Sequence, residues 1–600
     1  MRTETHTPAI VTIDDTTTLA TFLAERAAEF PDRAYSAFKG DGDAWTEVSL
    51  QDFHAQVVTL AKGLVAQGVA PGARVGLQAS TRHEWAALDF AIQTAGAVTV
   101  PIYPTASAAQ VAGIHRDATL ALAIGETDEQ VRVLSELDDA PQVLHLDAAE
   151  RGAIDVLTSA GASVSDADLA SRGADVRADD IATIVYTSGT TGEPRGVALT
   201  HRNFVEHALN ASAHPDFGTL AHGEPRILLF LPLAHVLARH IQILGLACGA
   251  VVGFAPSTKT LAEDLRTFRP TWMMAVPRVL ETFYNVVEQR ADSKIKHRLF
   301  SFATGMSRRT SDLRLAGEPP TSWHAIKARA ADLLILDKVR EALGGNLRYV
   351  VCGGSRLDPE LARFYLGLGV TVMEGYGATE TAAPLTCNPP SQPRPGTVGI
   401  PYPGCSARIA EDGEVLAKGP NVFAGYYGRP EDTAAVMDDG WYRTGDLGAI
   451  DEDGYLAITG RKKEILITAG GKNVQPATLE DAIRPDALVQ EVVVVGDDKP
   501  FIGALIALDE AMLPAWLQAR GLPSLTLPEA IRHPDVRAHL QAAVDRANAL
   551  VSRAESIREW RVLPHELTEQ AGELSAALKV RRRVVAEHFK DVIADIYQRR

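Results

Sequence analysis

The sequence predicts an α/β protein, with a large N-terminal part of packed α/β layers and a smaller α+β part at the C-terminus. Three observations predict it. Up to about residue 460, short apolar runs alternate with amphipathic helical stretches, the pattern of strands layered with helices. Two of those runs, residues 347–352 and 370–374, lead directly into glycine-bearing loops, which is where open α/β sheets place their ligands. After Gly460 the pattern changes: two strands, residues 489–496 and 501–508, flank the turn Asp497-Asp498-Lys499-Pro500, and helical segments follow at 528–555.

The elements follow in order. Residues 50–67 carry the 3.6-residue apolar period of an amphipathic helix. The Pro71-Gly72 turn introduces a short strand at 74–77. Residues 85–95 are helical and the apolar run 97–102 is a strand. Residues 281–342 are mostly helical, with a loop near Gly317-Glu318-Pro319-Pro320. The stretch GRKKE, residues 460–464, is the junction between the two parts. The expected division is therefore 1–460, a connector at 461–464, and 465–600.

Composition narrows the function. A chain of 600 residues exceeds one ordinary core. Its 46% hydrophobic and 22% charged residues are the balance of a soluble globular protein. A net charge of -17 argues against a nucleic-acid binder, which needs clustered cations. Cys248, Cys352, Cys387 and Cys405 form no C-x-x-C pair and read as core thiols of a reducing, cytoplasmic compartment. The first residues have no apolar signal-peptide core. The most apolar region, 227–256, is interrupted by Arg239, His240 and Gln242, so it reads as buried core or a pocket wall.

The strongest local signal is YTSGTTGEPRG, residues 186–196, directly after the apolar run 181–185. It holds three glycines, four hydroxyls (Thr187, Ser188, Thr190, Thr191) and one cation, Arg195. Glycines such as Gly189 and Gly192 let backbone N–H groups approach an anion, and hydroxyls add donors for phosphate oxygens. No G-K-[ST] follows Gly192, so this is not a Walker A loop. Three more stretches are unusual: CGGS at 352–355, EGYGATET at 374–381, and DGWYRTGDLGAIDEDGYLAITGRKK at 439–463. The CGGS stretch fails as a nucleophile elbow because Leu357 stands where glycine is required.

Together these motifs resemble the adenylate-forming family of acyl-CoA synthetases, luciferases and peptide-synthetase adenylation domains. The resemblance spans nearly the whole chain and is closest to bacterial long-chain fatty-acid–CoA ligases. It implies a large acyl-adenylate-forming domain and a small mobile C-terminal domain. It implies ATP, Mg²⁺ and coenzyme A as reactants with a fatty acid, and two steps: acyl-AMP formation, then thioester formation. Residues 187–192 and Arg195 are expected on the pyrophosphate. Arg195 departs from the family, which usually has lysine there; it keeps the charge but grips phosphate bidentately. Gly354 and Ser355 match an adenine-side loop. In the motif Glu374-Gly375-Tyr376-Gly377, Tyr376 matches the adenine-stacking residue. Thr379 matches the α-phosphate contact, and Glu380, with Thr187, the Mg²⁺ site. Asp446 and Arg461 match the ribose contacts, Lys463 the hinge, and Gly470 and Gly471 the loop that enters for the thioester step. Lys579, in GELSAALKVRR at 572–582 and read as part of a basic helix, matches the catalytic lysine. His235, in LPLAHV, matches a residue near the acyl carboxylate. VPRVLETFYN at 276–285 is expected to flank an acyl tunnel. The alternatives are a fatty acyl-AMP ligase that loads a carrier protein, and a non-catalytic binding relative. Peripheral membrane contact would suit so insoluble a substrate, but no amphipathic anchor stands out in the sequence.

Overall fold

A computed structural model of the chain describes residues 2–40, 42, 44–188, 194–289, 294–575 and 579–598. Three sheets build the large part. The first has seven strands in the order Gly425–Tyr426, Pro194–Thr200, Ile181–Ser188, Val98–Ile102, Arg74–Gln78, Leu122–Gly125, Gln142–His145. From Ile181–Ser188 onward this sheet is parallel. The second has nine strands. Its centre is parallel, with Val251–Phe254, Arg226–Leu229, Trp272–Ala275, Tyr349–Cys352 and Thr371–Ala378 side by side. The third is antiparallel and centres on the long strand Trp441–Ile450, which pairs with Glu414–Lys418 and Leu456–Arg461.

The elements read from the sequence are present with shifted ends. Residues 50–67 become helix Leu50–Ala66, begun by Ser49, whose side chain accepts from the Asp52 N–H. Residues 85–95 become His83–Thr94, and 489–496 and 501–508 become Val489–Val495 and Ile502–Leu508. The apolar region 227–256 is a buried strand–helix–strand unit around helix Val236–Cys248. Among the described residues no helix is long and apolar enough to cross a membrane. All four cysteines are free and buried.

Two readings need correction. The glycines of EGYGATET do not open a loop: strand Thr371–Ala378 runs through them and turns back as Ala383–Cys387. The reason is steric. A Cβ on Gly377 would lie 2.0 Å from the Ala383 carbonyl oxygen, so the hairpin closes only around glycine. The helical segments expected at 528–555 are present as Leu527–Arg532 and Pro534–Asn548, separated by His533 ahead of Pro534. Lys579 is not helical; Leu574 and Val580 form a bridge around it, and the helix begins at Arg582.

The two large sheets are joined by a buried ion pair. Arg239, on helix Val236–Cys248, donates to both carboxylate oxygens of Asp89 at 2.8 and 2.6 Å, and Thr99 donates to the same carboxylate. Losing one partner would strand a buried charge, at a cost of about 3–5 kcal/mol. This explains one polar interruption in region 227–256: Arg239 cross-links two helices that pack between the sheets.

The C-terminal part has its own core. Along Val489–Val495 and Ile502–Leu508, Val492, Val494, Ala504 and Ile506 face helices Pro476–Ile483 and Pro534–Asn548. Val493, Leu505 and Ala507 face the terminal helices Arg582–His588 and Lys590–Tyr597. Both faces are buried, which is why the strands read as continuous apolar runs.

Candidate active site

The site forms where the strand ends of the two large sheets meet the third sheet and the C-terminal part. Thr187 and Ser188 end strand Ile181–Ser188, with Thr187 opposite Arg195 and Ser188 opposite Pro194 on the return strand. Gly189, Thr190, Thr191 and Gly192 lie outside the described residues. The return strand pairs on its other side with Gly425–Tyr426. Tyr426 then connects two motifs: Arg195 stands 5.6 Å over its ring, and its hydroxyl donates to Glu380 Oε1 at 3.0 Å. Arg195 also pairs with Asp432 at 3.6 Å. Sequence reasoning missed Tyr426. The signal available was the aromatic pair Tyr426-Tyr427 in AGYYGRPED, which follows no apolar period.

Glu380 and Thr379 sit in the short turn Thr379–Thr381 at the end of the glycine strand. Burial pushes the Glu380 carboxyl above its ordinary range, against the Tyr426 hydrogen bond and the Arg461 charge. Asp446, on Trp441–Ile450, is buried and doubly tied. The Tyr376 hydroxyl donates to Oδ2 at 2.7 Å, and Arg461 Nε pairs with Oδ1 at 2.9 Å. Arg461 lies directly opposite Asp446 in the strand pairing. Each carboxylate oxygen keeps a second lone pair, so Asp446 can still accept two hydroxyls at once.

Lys579 reaches this cluster from the C-terminal part. Its surface remains open to solvent, but it stands in a cleft walled by protein. That crowding lowers its pKa, and Arg461 lowers it further, while Asp446, Glu380 and Glu464 act in the other sense. His235 faces the same charge. Burial, with Lys579 second, pushes its pKa down to about 4, so it is neutral at physiological pH. Its Nδ1 accepts the Leu237 N–H at 3.2 Å as the cap of helix Val236–Cys248. The neutral ring must therefore carry its proton on Nε2, as a donor.

Other expected residues sit at the margin. Glu374 is turned away into the protein, where Oε1 accepts the Leu357 N–H at 3.1 Å and so holds the Gly353-Gly354-Ser355 loop. Burial raises its pKa to about 7. Gly354 takes φ +93°, and Gly353 lies against Leu237 and the Gly375 carbonyl. Gly375 sits within the glycine strand, where a Cβ would meet the Thr386 carbonyl at 3.2 Å. Lys463 lies in the turn Lys462–Glu464 that joins the two parts. Gly470 and Gly471 lie on the C-terminal part, in a loop fixed by Ala469 N–H to the Lys499 carbonyl and by Lys472 to Glu555. They do not join the cluster around Lys579 in this arrangement. Arg582 belongs to no solvated basic face: it pairs with Glu480 and, at 3.3 Å, with Glu464 beside the connector. Arg278 of VPRVLETFYN makes a contact that the motif did not announce. It pairs with Asp509 and donates to the Val489 carbonyl, so it bridges the two parts of the chain.

Among the described residues, no group of three His, Cys, Asp or Glu could hold a metal ion. Of the carboxylates in the cleft, Asp446 is held by Tyr376 and Arg461, while Glu380 has one oxygen bound by Tyr426. That donor set suits Mg²⁺ arriving on a phosphate substrate, since Mg²⁺ commonly takes one or two carboxylates plus phosphate oxygens.

Residues 23–427 match the family model of the AMP-binding enzyme, and residues 463–600 that of the AMP-binding enzyme C-terminal domain. The long-chain-fatty-acid–CoA ligase FadD15 of Mycobacterium bovis is 44% identical, over 99% of this chain and 100% of its own. The long-chain-fatty-acid–CoA ligase ACSBG2 of Xenopus laevis is 29% identical, over 93% of this chain and 80% of its own. Among solved structures, the anthranilate CoA ligase AuaEII in complex with anthranoyl-AMP superposes with a TM-score of 0.73 at 18% identity, covering 97% of this chain and 99% of that one. With both family models matched along the chain and a relative of this identity along its full length, the protein belongs to the AMP-binding enzyme family.

Proposed function

We propose that this protein is a long-chain fatty acid–CoA ligase that works through an acyl-adenylate. The observation that carries the site reading is the convergence of Lys579, Asp446, Arg461 and Glu380, four charged groups from both parts of the chain, on one cleft. The full-length likeness to FadD15, a long-chain-fatty-acid–CoA ligase, supports the choice of acid and thiol.

In the first step, a carboxylate oxygen of the fatty acid attacks the α-phosphorus of ATP, and the bond to pyrophosphate breaks. Asp446 accepts the ribose hydroxyls on the lone pairs that Tyr376 and Arg461 leave free. Glu380 would hold the Mg²⁺ of Mg-ATP, which neutralises phosphate charge when bound. Thr187 and Arg195 flank the leaving pyrophosphate, and Thr379 the α-phosphate. Lys579 holds its positive charge between carboxylate and α-phosphate, where charge builds as the bond forms. His235 Nε2–H is a neutral donor for the carboxylate. In the second step the CoA sulfur, having lost its proton, attacks the acyl carbon and AMP leaves. For that step residues 465–600 turn about Lys463, Lys579 withdraws, and the Gly470-Gly471 loop enters. The Glu464–Arg582–Glu480 contacts beside the connector keep the C-terminal part intact as it moves. The catalysis is positioning and electrostatics, with no covalent enzyme intermediate.

The test is ATP–pyrophosphate exchange on addition of long-chain fatty acid. Acid-dependent exchange is expected. Exchange that ignores added fatty acid, with other carboxylic acids active instead, would overturn the substrate assignment.

A further inference from the structure

The helical excursion that follows the acyl-tunnel motif carries a surface no step of the reaction uses. Helix Lys294–Ala316 and helix Ser322–Ala331 are packed together and joined by the Thr310–His324 hydrogen bond at 3.0 Å. Helix Ser322–Ala331 runs on through a π turn, Asp332–Leu336, into Asp337–Ala342. Along its outer side Trp323 is 74% exposed, Ile326 61%, Leu333 63% and Leu334 47%. At helical spacing, Trp323, Ile326, Lys327 and Leu334 share one face. On the neighbouring helix, Ile295 is 73% exposed. Half of the exposed large hydrophobic side chains described in this protein, or more, lie in this one excursion. Scattered exposed apolar residues need no explanation, but a concentration of this kind does.

Its charge separates the possible occupants. Residues 294–342 contain ten Lys and Arg against five Asp and Glu, in a chain of net charge -17. Two of the five acids, Asp332 and Asp337, are already paired with Arg340, and Arg329 also pairs with Asp332. The excursion is thus a basic, tryptophan-bearing apolar face on an otherwise acidic protein. An acidic protein meets an anionic bilayer against its net charge, so local cations and apolar side chains must supply the attraction.

We propose that the outer face of helices Lys294–Ala316 and Ser322–Ala331 docks this protein on anionic lipid bilayers. Trp323, Ile326 and Leu334 enter the headgroup boundary, and the surrounding Lys and Arg meet lipid phosphates. The sequence alone hid this anchor because helix Ser322–Ala331 is short and Leu333 and Leu334 fall within the π turn that follows it, which breaks the regular period. Under the ligase reading, the protein would then meet its amphiphilic acid where that acid partitions. The docking itself does not depend on that reading.

The test sediments the full chain with vesicles of phosphatidylglycerol and phosphatidylcholine, and with vesicles of phosphatidylcholine alone, without ATP, CoA or fatty acid. Partitioning onto the anionic vesicles is expected to be about tenfold stronger or more, and to weaken with salt. The triple variant Trp323→Ser/Ile326→Ser/Leu334→Ser alters only exposed side chains and should keep the wild-type circular dichroism and melting curve while losing about tenfold or more in partitioning. No binding by the wild type, or equal binding by a folded triple variant, would overturn the proposal. So would a wild-type dimer in sedimentation velocity that the triple variant converts to monomer, because that result assigns the face to a second copy of the chain.

Discussion

Lys579 has no meaning by itself; its neighbours give it one. A lysine in solution is a solvated cation, whereas this one stands beside Arg461, Asp446, Glu380, Glu464 and His235. Lys579→Ala is expected to lower acyl-adenylate formation by about 10²–10³-fold, the scale of removing one preorganised electrostatic donor. Thioester formation from supplied acyl-AMP should be nearly unchanged; an equal fall in both half-reactions would refute the assignment. Because the protein walls of its cleft and Arg461 lower the lysine pKa, its charge is lost earlier as pH rises. The adenylation rate should therefore show an alkaline limb below 10.5, the ordinary lysine value, and Lys579→Ala should lack that limb. Glu374 supplies a second pH effect, on stability. Its folded pKa of about 7 lies above the ordinary 4.5, so between those values the folded protein holds a proton that the unfolded chain has released. Stability must fall as pH rises through this window, by up to roughly 3 kcal/mol. Thermal melts of Glu374→Gln should be flatter than wild type from pH 4.5 to 7, and parallel curves would show that Glu374 is not protonated there. Of these residues, Lys579, Asp446 and Glu380 were legible as motif positions. The link Tyr426–Glu380 and the inward turn of Glu374 were not, because both depend on which strands become neighbours.

At the level of elements, the phosphate-side strand pair, the glycine hairpin and the strand pair bearing Asp446 and Arg461 are each local in sequence. Apolar runs and turn residues were enough to find them. What sequence could not supply is the contact between distant elements. Helix Pro277–Gln289 is the clearest case. Its motif was read as flanking an acyl tunnel, and nothing in it pointed to the crossing from Arg278 to Asp509, whose backbone and side chain also start helix Leu513–Ala519. This bridge favours the arrangement in which Lys579 faces the nucleotide cleft. Arg278→Ala should slow adenylation by about 5- to 30-fold, the effect of ~1–2 kcal/mol, and leave the thioester half-reaction with supplied acyl-AMP equal or faster. Single-turnover measurements of the two half-reactions would decide it; a slower thioester step would contradict this role. The mis-set ends of the predicted elements have local causes. Strand Thr371–Ala378 outran its prediction because glycine, usually a breaker, was required there by the close return of Ala383.

The whole molecule is a large three-sheet body with a smaller part whose core is separate and which inserts one lysine into the body's cleft. Composition and alternation made that architecture legible, since both parts bury their apolar runs on their own sheets. The relative placement of the parts was not legible. It rests on a few cross-links, Arg278–Asp509, Thr105–Glu569 and Arg356–Asp481, whose partners lie more than 100 residues apart. An interface held, among the described residues, by a few long-range polar contacts suits the proposed departure and return of the C-terminal part in each catalytic cycle. The central claim is that this cycle joins a long-chain fatty acid to coenzyme A at the expense of ATP. The most direct measurement incubates the purified protein with Mg-ATP, coenzyme A and a ladder of fatty acids from short to long chain, and follows AMP and acyl-CoA by mass spectrometry. The account predicts equal amounts of AMP and acyl-CoA, with the yield peaking at long chains. Acyl-AMP accumulating without acyl-CoA, or a yield confined to short or aromatic acids, would contradict it.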